Sequence, residues 1–598
     1  MIARQPIPKL AVLELPLRWL VRSIMVSMNR PLQTALLFVG AVLLPLASPT
    51  AHSADVTTRA RPNILLILAD DVGFSDIGCY GGEIRTPNLD GLAAEGLRFT
   101  QYYNCARCCP SRASILTGLY PHQAGIGSMT ADEGQPGYHG SLQPDCVTIA
   151  QVLKTAGYRT AMAGKWHVGD RQPPTQRGFD DFYGFVRGYA VDSWEPHMMT
   201  RLPEGRPMRH YARGEFFATD AITDHAIDFL AEARRHAAPW FLYVAYQAAH
   251  FPLASRPADM QGYGEMYAKG WDKVRDERVA RQKTLGLFAS ELSLTPRSPI
   301  PMPEVARRHG SITADGNNPP WHSLPQDRRA DLAQRMAVYA GMVTGMDRNV
   351  GRLVDDLRRH RAMENTLIIF LSDNGACAEW EPFGFDLQPV ARPQPGTGIN
   401  VGTPGAQNIL HRGAALAEMG GPGSLFSYGS GWANASNTPF RFYKHYDHEG
   451  GISTPLIVHW PAGTKRRGEF ERRIGHVIDL MATCAEVAGA EYPRNFDGNE
   501  ILPVEGCSLM PALRGEKPQP RTLFWEHEGN RAVRAGRWKL VGLRGGPWEL
   551  YDFDVDRTEM HDVADRHPDI VARLAKAWDE WAARCWVTRG RTPPISRR

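Results

Sequence analysis

Short apolar runs that end in carboxylates constrain this chain more than any other feature. Residues 63–68 read Asn-Ile-Leu-Leu-Ile-Leu, and the run stops at Ala69-Asp70-Asp71. A segment this short and this uniformly apolar reads as a strand buried on both faces, as in a parallel sheet. Runs of the same kind recur at 158–163, 240–246, 367–371 and 455–460. Helix-compatible stretches separate several of them, at 90–95, 147–156, 218–234 and 327–358. The last carries Leu332, Met336, Tyr339, Val343, Met346, Val350 and Leu353 at alternating steps of four and three, one face of a long helix. Strands alternating with helices predict an α/β fold with a large, mostly parallel central sheet flanked by helices.

The texture changes near residue 520. Short runs at 521–526, 531–534, 538–543 and 548–551, joined by Gly-containing turns, predict an antiparallel sheet. Residues 568–581 then read as an amphipathic helix. A catalytic domain over 60–492 and a small C-terminal α+β domain over 520–585 are expected, with a linker between. Residues 255–325 and 376–435 read as long irregular insertions, rich in Pro or Gly.

Residues 32–46 are almost all apolar and lead to Ala51-His52-Ser53, a small-x-small pattern. Residues 1–54 therefore read as a leader, with translation starting at Met25 or Met28, and the protein is expected to be exported to the periplasm or beyond. An uncleaved anchor is the alternative. No later run reaches the roughly 18 apolar residues of a membrane span. The net charge is +4 and no basic block stands out, so no nucleic-acid partner is expected.

Chemistry gathers where strands end. Asp70 and Asp71 close the first run, and Asp373 and Asn374 close the run before them. Ligands of open parallel sheets bind beyond the carboxyl ends of strands, so these pairs can converge. Their oxygen-only donors suit Ca²⁺ or Mg²⁺ rather than Zn²⁺. Taken singly, each pair reads as a turn. Cys108-Cys109-Pro110-Ser111-Arg112 runs into a helix-compatible stretch that ends at Gly118. Pro110 suits the first helical position, which places Cys108 just before a helix N-terminus, where negative charge is stabilised. Alone, this supports a reactive cysteine or a structural one.

Cys108-x-Pro110-Ser111-Arg112 with Leu116-Thr117-Gly118 resembles the signature of the sulfatase family, within the alkaline phosphatase superfamily. The wider text, over about residues 61–585, looks most like bacterial arylsulfatases. The resemblance implies an alkaline-phosphatase-like fold and oxidation of Cys108 to Cα-formylglycine by a formylglycine-generating enzyme, a partner during maturation. It implies that Asp70, Asp71, Asp373 and Asn374, with residue 108, hold Ca²⁺ in preference to Mg²⁺. Lys165-Trp166-His167 resembles the family's second signature, His250 its later histidine, and Lys444 its second active-site lysine.

The roles that follow are those the resemblance implies. The hydrated aldehyde at 108 attacks sulfur, and its second hydroxyl then expels sulfate. Arg112 holds the hydrate, Lys165 and Lys444 clamp sulfate oxygens, His250 is general acid and His167 base, an assignment that can be exchanged. His445 and His448 read as loop residues. The expected substrate is a sulfate monoester, small-molecule or carbohydrate and chiefly aryl, released as alcohol or phenol. Trp194, His197, His210, Trp271, Trp321, Trp380 and Trp432 lie in the segments expected to wall the pocket, and each suits a core position equally. Two alternatives stand: a phosphonate monoester or phosphodiester hydrolase of the same superfamily, and an inactive secreted binding protein on the same scaffold. Oxidation of Cys108 would leave eight of nine cysteines, an even number that permits pairing.

Overall fold

The structure is a computed structural model that describes residues 61–289, 291–301, 315–378, 382–387 and 408–588. The expected leader and Trp380 lie outside these residues. Nine strands form the main sheet: β1 (Asn63–Ala69), β2 (Leu97–Tyr103), β3 (Arg159–Lys165), β4 (Asp181–Phe185), β5 (Thr200–Leu202), β6 (Trp240–Ala245), β7 (Thr366–Ser372), β8 (Ser453–His459) and β9 (Glu469–His476). Their order is β5-β4-β3-β6-β1-β7-β8-β2-β9. The centre, β4-β3-β6-β1-β7, is parallel throughout. β8 runs antiparallel to both its neighbours, and β5 to β4.

Alternation along β1 shows why the strand is apolar on both faces. Leu65 and Ile67 enter one core with the 34-residue helix Gln326–Arg359. Ile64, Leu66 and Leu68 enter a second core with the helices Cys108–Thr117, Ile149–Thr155 and Asp479–Ala488. The sheet is thus sandwiched, as the runs in the sequence require.

Several elements differ from the sequence expectation, each for a physical reason. The stretch 255–325 contains the helix Trp271–Thr284, whose buried face includes Arg275, Arg278 and Gln282. Arg278 is fully buried against Asp76 (2.7 Å) and Glu83 (2.7 Å). A helix that buries guanidinium groups has no apolar periodicity to read. β2 and β9 also escaped, because edge strand β9 exposes Glu469 and Arg472 while β2 mixes polar with aromatic side chains. Trp271, Trp321 and Trp432 are not pocket walls. They pack on one another in the core with centroids 4.8–5.6 Å apart.

Toward the C-terminus a two-residue-stranded ribbon, β10 (Asn495–Phe496) with β11 (Asn499–Glu500), precedes the second sheet. That sheet is antiparallel, β12 (Thr522–His527), β13 (Asn530–Ala535), β14 (Trp538–Gly542) and β15 (Glu549–Asp552) in order. The helix Pro568–Arg584 covers it with Leu574, Trp578, Trp581 and Ala582. The second sheet is locked to the first body by buried polar contacts. The Trp525 indole N–H donates to the Asn104 carbonyl at 2.7 Å. The Lys539 ammonium sits between Glu449 (3.0 Å) and Glu559 (2.6 Å), all three side chains fully buried.

Removing one member of a buried charge cluster strands the others. Lys539→Met is expected to lower unfolding free energy by about 3–5 kcal/mol, read as a shift of the urea midpoint, because buried Glu559 loses its cation and buried Glu449 keeps only Arg557 at 3.3 Å. An unchanged midpoint would show that the cluster does not hold the C-terminal sheet.

Candidate active site

Strand register builds the centre. Ala69 of β1 pairs with Ser372 of β7, and the Asp373 N–H donates to the Ala69 carbonyl at 3.2 Å. The two chains therefore leave the sheet side by side, and Asp70, Asp71, Asp373 and Asn374 emerge together, all buried. Lys165 is the last residue of β3, and His250 follows β6. Lys444 arrives on a loop whose backbone N–H at 444 donates to the Ala376 carbonyl at 3.1 Å.

The helix Cys108–Thr117 points its N-terminus at this centre. It starts at Cys108, two residues before the expected position. Pro110 fits there because the first turn of a helix leaves its N–H groups without intrahelical partners. Gly118 ends the helix in the left-handed region, φ 72°, as the sequence implied. Asp71 (φ 62°) and His167 (φ 53°) are also left-handed, a conformation that costs on the order of 1–3 kcal/mol in a non-glycine residue. Both lie where side chains must turn back toward one point.

All ten residues singled out in the sequence meet here. Arg112 Nε donates to Asp373 Oδ2 at 2.9 Å, its Nη2 lies 3.3 Å from Asp70 Oδ2, and Nη1 donates to the Lys165 carbonyl at 3.0 Å. Lys165 Nζ donates to Asp70 Oδ2 at 2.6 Å. Lys444 Nζ and the Asn374 amide both donate to Asp71 Oδ1, at 2.7 and 2.6 Å. His250 turns Nδ1 to the Phe251 carbonyl at 2.5 Å and Nε2 toward Asp71 Oδ2 at 3.5 Å.

The remaining oxygens are distinctive. Asp70 Oδ1, Asp71 Oδ2 and Asn374 Oδ1 are buried and accept no hydrogen bond. Burial, and then the neighbouring Asp70 charge, push Asp373 well above the usual carboxylate range, with Arg112 opposing. Burial would also raise Asp71, but Lys444 and then His250 outweigh it and hold it below the ordinary value. Crowded carboxylates with unpartnered oxygens are the surroundings a hard cation satisfies. Asp70, Asp71 and His250 form one of the groups spaced to hold a metal ion.

Around Cys108, the hydrogen bond from Cys109, working against burial and aided by Lys165, His167 and Lys444, holds the thiol well below its ordinary pKa. In the sequence Cys109 occupies only the variable position of the Cys-x-Pro-Ser-Arg motif. Its sulfur lies 3.2 Å from His167 Nε2, and none of the nine cysteines is in a disulfide. The variable position of a motif gives no sequence signal for such a contact. His445 and His448 stand outside the centre, facing Glu528 (2.9 Å) and Glu549 (3.3 Å) of the C-terminal sheet.

Comparison with known proteins supplies the chemical family. Residues 62–490 match the family model described as Sulfatase, and 440–583 match N-sulphoglucosamine sulphohydrolase, C-terminal. An uncharacterised sulfatase of Schizosaccharomyces pombe is 32% identical over 550 residues, covering 87% of this chain and 93% of that protein. An arylsulfatase of Klebsiella aerogenes is 30% identical over 476 residues, covering 77% and 93%. Among solved structures, Ps i-CgsB in complex with a neocarrahexaose superposes with a TM-score of 0.58 at 25% identity, covering 89% of this chain and 94% of that one.

Burial also fixes an acid response. It lowers His167 and His527 from 6.5 to about 4 in the folded chain. Between those values the unfolded chain binds protons that the folded chain refuses, so stability falls as pH falls through the window. The loss is on the order of 3 kcal/mol per histidine. Thermal unfolding across this range should show the decline, and His527→Gln should flatten it; a pH-independent midpoint would contradict the assignment.

Proposed function

The chain belongs to the sulfatase family, whose members hydrolyse sulfate esters, and from that premise we propose that it cleaves sulfate monoesters, aryl sulfates among them, at the cluster around Cys108. In this reading Cys108 is converted to Cα-formylglycine by a maturation enzyme. Asp70, Asp71, Asp373 and Asn374, with residue 108, hold a divalent cation, Ca²⁺ rather than Mg²⁺. The observation that carries it is the set of three buried oxygens without hydrogen bonds, Asp70 Oδ1, Asp71 Oδ2 and Asn374 Oδ1. A buried carboxylate oxygen left bare is unfavourable in a folded protein, and a cation with oxygen ligands removes the penalty.

Charge supports the substrate class. Three carboxylates, Asp70, Asp71 and Asp373, face three cations, Arg112, Lys165 and Lys444. A bound dication would leave the centre positive, complementary to an anionic sulfate ester. The hydrated aldehyde and the cation together supply a nucleophile and polarisation of the sulfate oxygens.

The chain's own side chains do the rest. Arg112, held by Asp70, Asp373 and the Lys165 carbonyl, keeps its fork rigid beside residue 108. Lys165 and Lys444 each give a carboxylate one hydrogen bond, and an ammonium has three donors, so each can hold a substrate oxygen as well. His250, whose Nδ1 donates to a backbone carbonyl, turns Nε2 into the site, and it would deliver a proton from Nε2 to the leaving oxygen in its imidazolium form, which the Asp71 carboxylate at 3.5 Å favours. His167, lowered to about 4 by burial, is neutral near neutral pH and suits the acceptance of a proton from residue 108. The apolar run and small-residue site of the leader support export, to the periplasm or beyond.

Rates on paired aryl sulfate and aryl phosphonate monoesters test the reading. kcat/KM is expected to favour the sulfate, and Lys444→Ala to lower kcat on it by about 10²–10³. A phosphonate rate far above the sulfate rate would overturn the proposal in favour of a phosphonate hydrolase. A Lys444→Ala chain with native kcat would remove the lysine from the site.

A further inference from the structure

Away from Cys108, an open cavity of about 550 Å³ lies between the edge of the main sheet and the C-terminal sheet. It is lined by Arg472, Arg473, Lys517, Arg521, Arg534 and Arg537. Only two carboxylates, Asp479 and Asp554, share the walls. Three of the six cations are already matched. Arg521 grips Asp479 at 2.6 and 3.0 Å, Arg537 Nε lies 2.7 Å from Asp552, and Arg473 Nε lies 3.2 Å from Glu471. Arg472, Lys517 and Arg534 have no carboxylate within ion-pair distance among the described residues.

Arg534 is the decisive member. It is only 3% exposed, yet its charge meets no counter-ion. Its Nη2 donates to the Gln101 side-chain oxygen at 3.1 Å and its Nη1 to the Trp538 carbonyl at 3.4 Å. Its Nε has no acceptor, and the guanidinium rests over the Phe553 ring at 4.5 Å. A buried, unmatched cation on the wall of a cavity favours an anion there. Arg472 and Lys517 are exposed and add charge at two further points; Arg472 donates to the Gly286 and Leu287 carbonyls at 2.8 and 3.4 Å, neutral acceptors that leave its charge uncompensated.

We propose that this groove is a second binding site, for an oligosaccharide bearing several sulfate groups, one seated against Arg534 and others against Arg472 and Lys517. The volume suits a short sugar segment. Ser508 and Gln519 offer partners for sugar hydroxyls, while the Gln101 amide is held between Arg534 and the Arg472 carbonyl (2.8 Å). Among the described residues no aromatic side chain lines the groove, so these walls lack the stacking platforms that single-stranded nucleic acids use. The choice of sulfate as the anion rests on the function proposed above; the demand for an anion does not. The site would hold a polymeric sulfated substrate to the enzyme away from the bond being cleaved.

The test is a titration of the native chain with a fluorescent, heparin-derived hexasaccharide, beside its desulfated form and a single-stranded RNA of similar charge. Hydrolysis of a small aryl sulfate is measured in parallel. Saturable, salt-sensitive binding of the sulfated sugar is expected, weaker by about tenfold or more in the Arg472→Glu/Lys517→Glu double variant, with the aryl sulfate rate unchanged. Both positions are exposed and the variant gives up only the Arg472 hydrogen bonds to the Gly286 and Leu287 carbonyls, so the unchanged aryl sulfate rate reports an intact fold. The proposal is overturned by absence of saturable binding, by equal binding in the double variant, or by equal affinity for the desulfated sugar or the RNA. Binding without any sulfate-ester hydrolysis would keep the groove and sink the proposed function; hydrolysis without binding would do the reverse.

Discussion

The register of two strands forces three carboxylates into one buried place. Because Ala69 pairs with Ser372, Asp70, Asp71 and Asp373 leave the sheet within reach of one another, in surroundings where like charges repel strongly. The neighbouring elements offset that repulsion. The helix from Cys108 brings Arg112, β3 ends on Lys165, and the loop after Ala376 is bound to the backbone of Lys444. Three oxygens remain without a hydrogen bond, one of them with only the His250 ring at 3.5 Å, and they define the shape of what the site accepts.

The loop that carries Lys444 is secured from outside the main sheet. Asn530 donates to the His445 carbonyl at 2.9 Å, and the Glu449 N–H donates to the Glu559 side chain at 2.9 Å. Gly450 and Gly451 let the backbone pass where a Cβ would come within 2.1 Å of the Arg441 carbonyl oxygen and 1.9 Å of that of Tyr446. The C-terminal sheet therefore does more than extend the fold. Through Lys539 and its two glutamates it fixes the position from which Lys444 reaches Asp71.

How much of this was legible in the sequence follows from what each element buries. β1, β6 and β7 were readable because both faces are apolar, β3 and β8 because their middles are, and the helix Gln326–Arg359 because its buried stripe is continuous. The helix Trp271–Thr284 was not, since Arg275, Arg278 and Gln282 occupy its buried face. The ten candidate site residues were found from motif text and strand ends, and they converge. The contact of Cys109 with His167 was out of reach, because it depends on helix phase at a position where the motif sets no residue. For Trp271, Trp321 and Trp432 the sequence left pocket wall and core equally open, because size and aromaticity suit both, and packing places them in the core.

The account turns on what residue 108 is in the working protein. Mass spectrometry of the proteolytic peptide that contains it, taken from enzyme of measured activity and read with and without a hydrazide trap, addresses that directly. The predicted result is an aldehyde at 108 whose fraction rises in step with specific activity across preparations. An intact Cys108 thiol in fully active protein would contradict the account.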